Sequence, residues 1–517
     1  APIRDSVLQI LSKYIFQNEQ SSSPYFNVVI NCLADPSPMV VKRALGIVGE
    51  LSKSSDEECL AKLCYLLSTK LNDESTNVAK AARDAFIQVL FEDSSNPTQI
   101  LVYVVSNTKD RPVWFSKFFK TLYLKPKYTA SIKNMINQTF EILNETPSYQ
   151  ASCLIREFCA TFPKLCAPQH EVIISIVNTC NDDNVLLILP DAISSILSDI
   201  SNPNITLFNL LMESVRRNVY SKPAPIIRSM IRMSSIITSE IVTTSTTLNA
   251  IFEHFMKFLR ENLKISKQKE FVETPESLKL VSHLCRALFI SGCICRYYKE
   301  LTQRQINQIW GPIQFYFNAP IPKLRTMVLQ SVCDICIRDT TQIQMAKELV
   351  SRAFKLGPPE SVSAVHFLKN LIEEESKVQD TTAIDEIRPT YSSNLIHDFM
   401  SEVTECFGYN DSAMRTAVLE FSKVALMYGA INPPDIIQYI ISMLCAKDQH
   451  ELAIDTLKVI IYHYSSILNN RMKDGIRQSF NFVMTTHENL LEIAADDYSF
   501  RIGSLLKLLP PPQQSIF

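Results

Sequence analysis

Val40-Val41-Lys42-Arg43-Ala44-Leu45-Gly46-Ile47-Val48 is the stretch on which the reading of this chain turns. Val40, Ala44, Ile47, Val48 and Leu51 fall on one face of a helix. The pattern recurs on both sides. Ile3, Val7, Leu8, Ile10 and Leu11 reappear 37 residues later as Val40, Ala44, Leu45, Ile47 and Val48. A shift of 38 then carries Val40, Ala44, Ile47, Val48 and Leu51 onto Val78, Ala82, Ala85, Phe86 and Val89. Other helices alternate with these. One runs over 24–34 and ends at Asp35-Pro36-Ser37-Pro38, because proline cannot continue a helix interior. Another is capped by Asp56 and ends near Leu71, and Asp73-Glu74-Ser75 opens the next, through Phe91.

A paired-helix unit of this length is the HEAT/armadillo period, and the tetratricopeptide Trp/Gly/Tyr pattern is absent. One pair cannot bury its own apolar face, so neighbours stack and share a continuous core. The predicted fold class is all-α, a HEAT-repeat α-α superhelix, with about twelve or thirteen pairs at this period. The C-terminal third repeats the unit. Leu324-Arg325-Thr326-Met327-Val328-Leu329 and Met414-Arg415-Thr416-Ala417-Val418-Leu419 lie in second helices that follow first helices over 303–317 and 393–407. A further pair is expected over 434–444 and 451–464. The expected organisation is HEAT repeats over 1–120, degenerate helical repeats over 121–300, C-terminal HEAT repeats over 301–509 and an extended tail over 510–517. Residues 376–390 lose periodicity and are expected to form an interior loop.

Composition supports helices and excludes several functions. The 517 residues include only 9 glycines, too few for a β-rich or phosphate-cradling protein. Apolar residues make up 46%, and 51 basic residues against 53 acidic ones leave a net charge of −2, so any nucleic-acid contact must be local. The 14 cysteines are scattered and read as reduced, buried thiols of an intracellular protein. No uninterrupted apolar run reaches the ~18 residues of a membrane span. The chain begins Ala1-Pro2-Ile3-Arg4, and is expected to be part of a longer protein.

No nucleotide-binding, zinc-protease or hydrolase motif is present, and the chain is read as no enzyme and as needing no cofactor or metal. Cys333-Asp334-Ile335-Cys336 lacks a second pair at zinc spacing and reads as core. Glu373-Glu374-Glu375 reads as a solvated charge run.

Positive charge is clustered instead. Arg111, Lys117, Lys120, Lys125, Lys127 and Lys133 lie in a segment with no acidic residue, interleaved with Trp114, Phe115, Phe118, Phe119, Leu122 and Tyr123. The aromatics read as core, and the lysines as free to meet phosphates. A second run holds Arg216, Arg217, Lys222, Arg228 and Arg232, and a third, diluted by Glu261 and Glu270, holds Lys257, Arg260, Lys264, Lys267 and Lys269. Arg4, Arg325 and Arg415 near second-helix starts are expected to bond a turn aspartate of the neighbouring repeat. Lys42 and Arg43 are adjacent cations on a helix expected to line the concave face.

These residues resemble the cohesin loader family, also called adherins or the Nipped-B family. The resemblance is carried by Val40–Val48 with Asp73-Glu74 and Ala85–Phe91, and by His283-Leu284-Cys285-Arg286-Ala287-Leu288-Phe289-Ile290-Ser291-Gly292-Cys293-Ile294-Cys295-Arg296-Tyr297-Tyr298. Leu368-Lys369-Asn370-Leu371-Ile372-Glu373-Glu374-Glu375 and Gly429-Ala430-Ile431-Asn432-Pro433 follow in the family's order. The segment 135–270 is similar only in helical character, and Val41 stands where the family has an arginine. The resemblance implies a hook-shaped solenoid in the nucleus, on chromatin. It would grip double-stranded DNA and the cohesin complex (SMC ATPase heads and kleisin) and stimulate cohesin's ATPase. A loader partner subunit would bind an N-terminal region not in this sequence. No membrane or small-molecule substrate is implied. The DNA-contact candidates are Lys42, Arg43, Lys117, Lys120, Lys125, Lys127, Arg216 and Arg217, with Arg286 and Arg296 expected to be structural. A HEAT adaptor for protein cargo without DNA binding is the alternative, and an enzyme's regulatory arm a more distant one.

Overall fold

The computed structural model describes residues 2–17, 23–35, 37–52, 56–73, 75–108, 111–241, 247–267, 271–379, 391–446, 448–464, 473–481 and 503. The expected tail 510–517 lies outside them. Among the described residues the regular elements are all helical, with no strand. The chain divides into two compact units, Ala1–Thr247 and Leu248–Phe517. The sequence-based boundaries near 120 and 300 remain a proposal.

The first unit holds α1 (Pro2–Gln17), α2 (Ser23–Cys32), α3 (Pro38–Leu51), α4 (Glu57–Ser68), α5 (Thr76–Gln88), α6 (Pro97–Asn107), α7 (Val113–Tyr123), α8 (Pro126–Glu145), α9 (Tyr149–Thr161), α10 (Pro163–Cys166), α11 (His170–Thr179), α12 (Asp183–Ile196), α13 (Ile205–Asn218) and α14 (Ala224–Glu240). Helix starts follow local chemistry. The Asp56 carboxylate accepts from the Cys59 N–H at 2.8 Å, and the Asn96 side chain from the Gln99 N–H at 3.2 Å, with Pro97 in the first helical position. Helices α1, α3 and α5 pack side by side in one layer, while α4 and α6 pack together in the other. Beyond the end of α5, Val89–Asp93 forms a π-helical turn, so helical backbone reaches past the expected end at Phe91.

Large rings carry the first layer onward. Phe86 of α5 meets Trp114 and Phe118 of α7, with ring centroids 5.5 and 5.2 Å apart. On its other side, α7 sets Phe115 and Phe119 against Phe158 of α9. The aromatic set of the basic segment is therefore core, as its spacing predicts.

The second unit holds α15 (Thr247–Glu261), α16 (Pro275–Tyr297), α17 (Gln303–Phe317), α18 (Pro322–Arg338), α19 (Ile343–Phe354), α20 (Pro358–Gln379), α21 (Tyr391–Asp398), α22 (Met400–Cys406), α23 (Ser412–Met427), α24 (Pro433–Ser442) and α25 (His450–His463). Helices α16, α18, α20, α23 and α25 pack in succession, with α17, α19 and α24 against them. The α16–α18 contact is tight because a Cβ added at Gly292 would lie 2.9 Å from Ser331 Cα. Ser331 Oγ donates to the Leu288 carbonyl at 2.9 Å across the same crossing. By length and hydropathy α16 is long and apolar enough to cross a membrane, but 67% of that window is buried within the protein.

Three readings of the second unit need correction. The helix expected over 393–407 is two helices, because buried Phe399 leaves helical geometry and packs its ring on Phe354 of α19. The loop expected from Ser376 starts later, because α20 continues through Gln379 and buried Ser376 bonds the Glu373 carbonyl; residues 380–390 lie outside the described set. The glutamate run is not simply solvated. Glu374 pairs with Arg296 at 2.8 Å, and Glu375 accepts from the Ser392 N–H at 3.2 Å and from its hydroxyl.

Arginines join successive repeats. Arg4 pairs with Asp35 at 2.6 Å and Arg415 with Asp448 at 3.4 Å, both aspartates as expected. Arg325 meets a glutamate instead, Glu360 in the first turn of α20, at 2.6 Å. Arg296 of α16 bridges Asp334 of α18, at 3.0 Å, and Glu374 of α20, tying the three helices together. The Arg338 guanidinium donates to the carbonyls of Cys295, Tyr298, Lys299 and Leu301, closing the C-terminal end of α16.

Candidate nucleic-acid interface

Lys42 and Arg43 project from α3 and are exposed, but they differ in what they meet. Arg43 Nε lies 3.1 Å from Asp5 Oδ1 of α1, so part of its charge is spent on a link between helices. Among the described residues no ion pair engages Lys42. Both border a recess of about 360 Å³ with Asp5, Ser12 and Met39.

The repeat register gives Lys42 two counterparts. Steps of 38 and then 37 residues lead from Lys42 to Lys80 of α5 and Lys117 of α7. The same steps relate the buried sets Val40, Val78 and Phe115; Ala44, Ala82 and Phe119; and Ile47, Ala85 and Leu122. The three lysines therefore occupy one register position on α3, α5 and α7, and all three are exposed. Lys80 was not among the candidates read from the sequence. The signal that finds it is the repeat register itself, applied to polar as well as apolar positions.

Helices α5 and α7 also enclose a cleft of about 220 Å³. Its rim brings Lys80 and Arg83 of α5 together with Lys117 and with Lys125, the residue preceding α8, against one carboxylate, Asp84. All four cations are exposed. Arg83 Nη2 also donates to the Leu71 carbonyl at 3.2 Å, which steadies its head group at the rim. Arg83, too, escaped the sequence reading, because Asp84 beside it dilutes the local charge.

The remaining candidates separate from this group. Lys120 is exposed on α7 but does not line the cleft. Lys127 is 2.8 Å from Glu92, whose hydrogen bond holds the lysine above its ordinary pKa. Arg111 pairs with Glu157 at 3.1 Å. Arg216 and Arg217 are exposed on α13, which packs on α11 and α14 rather than on the helices of the lysine row. Arg216 lies 3.8 Å from Glu213. Within the second run, Lys222 pairs with Asp183 at 2.6 Å and Arg232 with Asp191 at 3.4 Å.

Several buried cysteines are held in the thiol form. All fourteen are free thiols. Burial pushes Cys285 up to about 11 and Cys295 and Cys406 up to about 12, and raises Cys336 as well, so few thiolates form at neutral pH. Cys333 and Cys336 share the buried face of α18, and Cys333 Sγ contacts the Phe367 carbonyl at 3.8 Å.

Residues 392–515 match the family model described as the sister chromatid cohesion C-terminus. Over 92% of its length the chain is 19% identical to Nipped-B-like protein A of Danio rerio and 16% identical to the Nipped-B protein of Drosophila melanogaster. A shorter stretch of 97 residues is 26% identical to sister chromatid cohesion protein mis4 of Schizosaccharomyces pombe, covering 19% of this chain and 6% of that protein. The chain spans 23% of the length of the zebrafish relative and 26% of the fly one. Its fold is similar to the C-terminal fragment of the Chaetomium thermophilum cohesin loader SCC2, with a TM-score of 0.76 at 15% identity, covering 98% of this chain and 42% of that one.

Proposed function

We propose, from its similarity to the Nipped-B sister chromatid cohesion proteins, that the chain is a cohesin-loading scaffold. It binds double-stranded DNA and cohesin at once, and it acts by holding them together. Its partners on this reading are the SMC ATPase heads and the kleisin, and its place is nuclear chromatin. Its effect is to raise ATP turnover by cohesin.

The observation that carries the DNA half of the reading is the lysine row Lys42, Lys80 and Lys117, continued by Arg83 and Lys125. The row repeats an exposed cation from helix to helix, and phosphate binding needs only correctly placed positive charge. Contacts of this kind read charge and not base sequence. Lys120, Lys127, Arg43, Arg216 and Arg217 remain candidates that flank the row or lie apart from it.

The deciding measurement is ATP hydrolysis by a cohesin trimer with duplex DNA present, with and without this chain. Stimulation by the folded chain is the expected result. No stimulation, together with no salt-sensitive DNA binding, overturns the loader reading in favour of a protein-cargo adaptor.

A further inference from the structure

The cleft between α5 and α7 has a feature that phosphate binding does not use, namely an apolar floor. Trp114 and Phe118, each 7% exposed, form it together with Leu122 and Ile87 beneath the four cations. A phosphodiester needs only positive charge at the rim and gains nothing from a desolvated aromatic surface. A space of about 220 Å³ is instead of the order of one large apolar side chain. Carboxylates on either side of such a residue would meet Lys80, Arg83, Lys117 and Lys125, while Asp84 disfavours a basic ligand.

We propose that this cleft receives an acidic peptide segment of a protein partner, which inserts one phenylalanine or leucine side chain over Trp114. The inference deepens the scaffold reading and rests on the chain's acting through protein partners, but it does not depend on DNA binding. Apolar insertion supplies the specificity, and the cations supply attraction and a fast encounter.

The chain has two tryptophans, and Trp310 lies in the other unit, so Trp310→Phe leaves Trp114 as a reporter inside the cleft. The probe is a short labelled peptide of glutamate and aspartate around one central phenylalanine. It is expected to change Trp114 emission and to bind about tenfold or more tighter than the same peptide with alanine in the centre. Thr121 lines the cleft and is exposed, so Thr121→Tyr fills the space without altering charge. That variant should lose the advantage of phenylalanine over alanine and keep its affinity for duplex DNA. Equal binding of the two peptides to the unaltered chain, a comparison that needs no variant, overturns the proposal and leaves a plain polyanion contact. So does a folded Thr121→Tyr chain that still prefers phenylalanine. Phenylalanine-dependent binding with neither stimulation of cohesin's ATPase nor salt-sensitive DNA binding keeps the cleft and removes the loader reading, so the two failures are distinguishable.

Discussion

Gly292 sits in tight contact with Ser331 of α18, and its replacement sets two effects against each other. Alanine inside a helix ordinarily gains about 1 kcal/mol over glycine. Here its Cβ would lie 2.9 Å from backbone at Ser331, which no rotamer change relieves. Separating the helices would also stretch the Ser331–Leu288 hydrogen bond. Overpacking of this kind costs about 1–3 kcal/mol, so Gly292→Ala is expected to lower stability in urea unfolding despite its better helix propensity. A stabilised variant would mean that the crossing relaxes freely. The sequence displayed this glycine inside an apolar run but not its reason, because close approach depends on the helix opposite. The same holds for Glu374, which reads as one of three solvated carboxylates until α16 delivers Arg296 to it.

At the level of elements, helices are joined by charges that each reach into the next repeat. The hydrogen bond from Arg4 holds the Asp35 carboxyl below its usual range, supported by the Ser37 N–H. A depressed carboxylate stabilises the fold above its unfolded pKa of about 3.9, and that contribution disappears as pH falls through the folded value. Asp35→Asn is therefore expected to lower the denaturation midpoint at pH 7 and to converge with the unaltered chain in strong acid. A constant gap across that range would refute the linkage. One helix start was readable, since Asp56 caps as its position suggests. The break at Phe399 was not, because a buried aromatic continues an apolar periodicity as well as any helical residue does. Gly429, at φ +66, ends α23 in a left-handed turn, with the Ala430 N–H on the Ala425 carbonyl at 2.8 Å.

For the molecule as a whole, a net charge of −2 means that polyanion binding must be local and salt-sensitive. Each phosphate contact contributes about 0.9 to the slope of log affinity against log salt on duplex DNA. Reversing Lys80 and Lys117 together is expected to weaken binding to all duplex sequences alike and to flatten that slope by about 2. Reversing Arg216 and Arg217 tests whether α13 belongs to the same footprint. An unchanged slope in the first double variant would remove the lysine row from the DNA interface.

The repeat period, the buried face of each helix, the aromatic core of α7 and the family resemblance are all present in the linear chain, because each is a pattern of spacing or local identity. The register even contains Lys80, once polar positions are counted with apolar ones. Stacking supplies the rest. It brings Arg83 and Lys125 to one rim, draws Arg43 toward Asp5 and Lys127 toward Glu92, and sets Arg216 and Arg217 on a separate helix. Those outcomes turn on which side chains meet across helices more than thirty residues apart, and spacing along one helix carries no information about that.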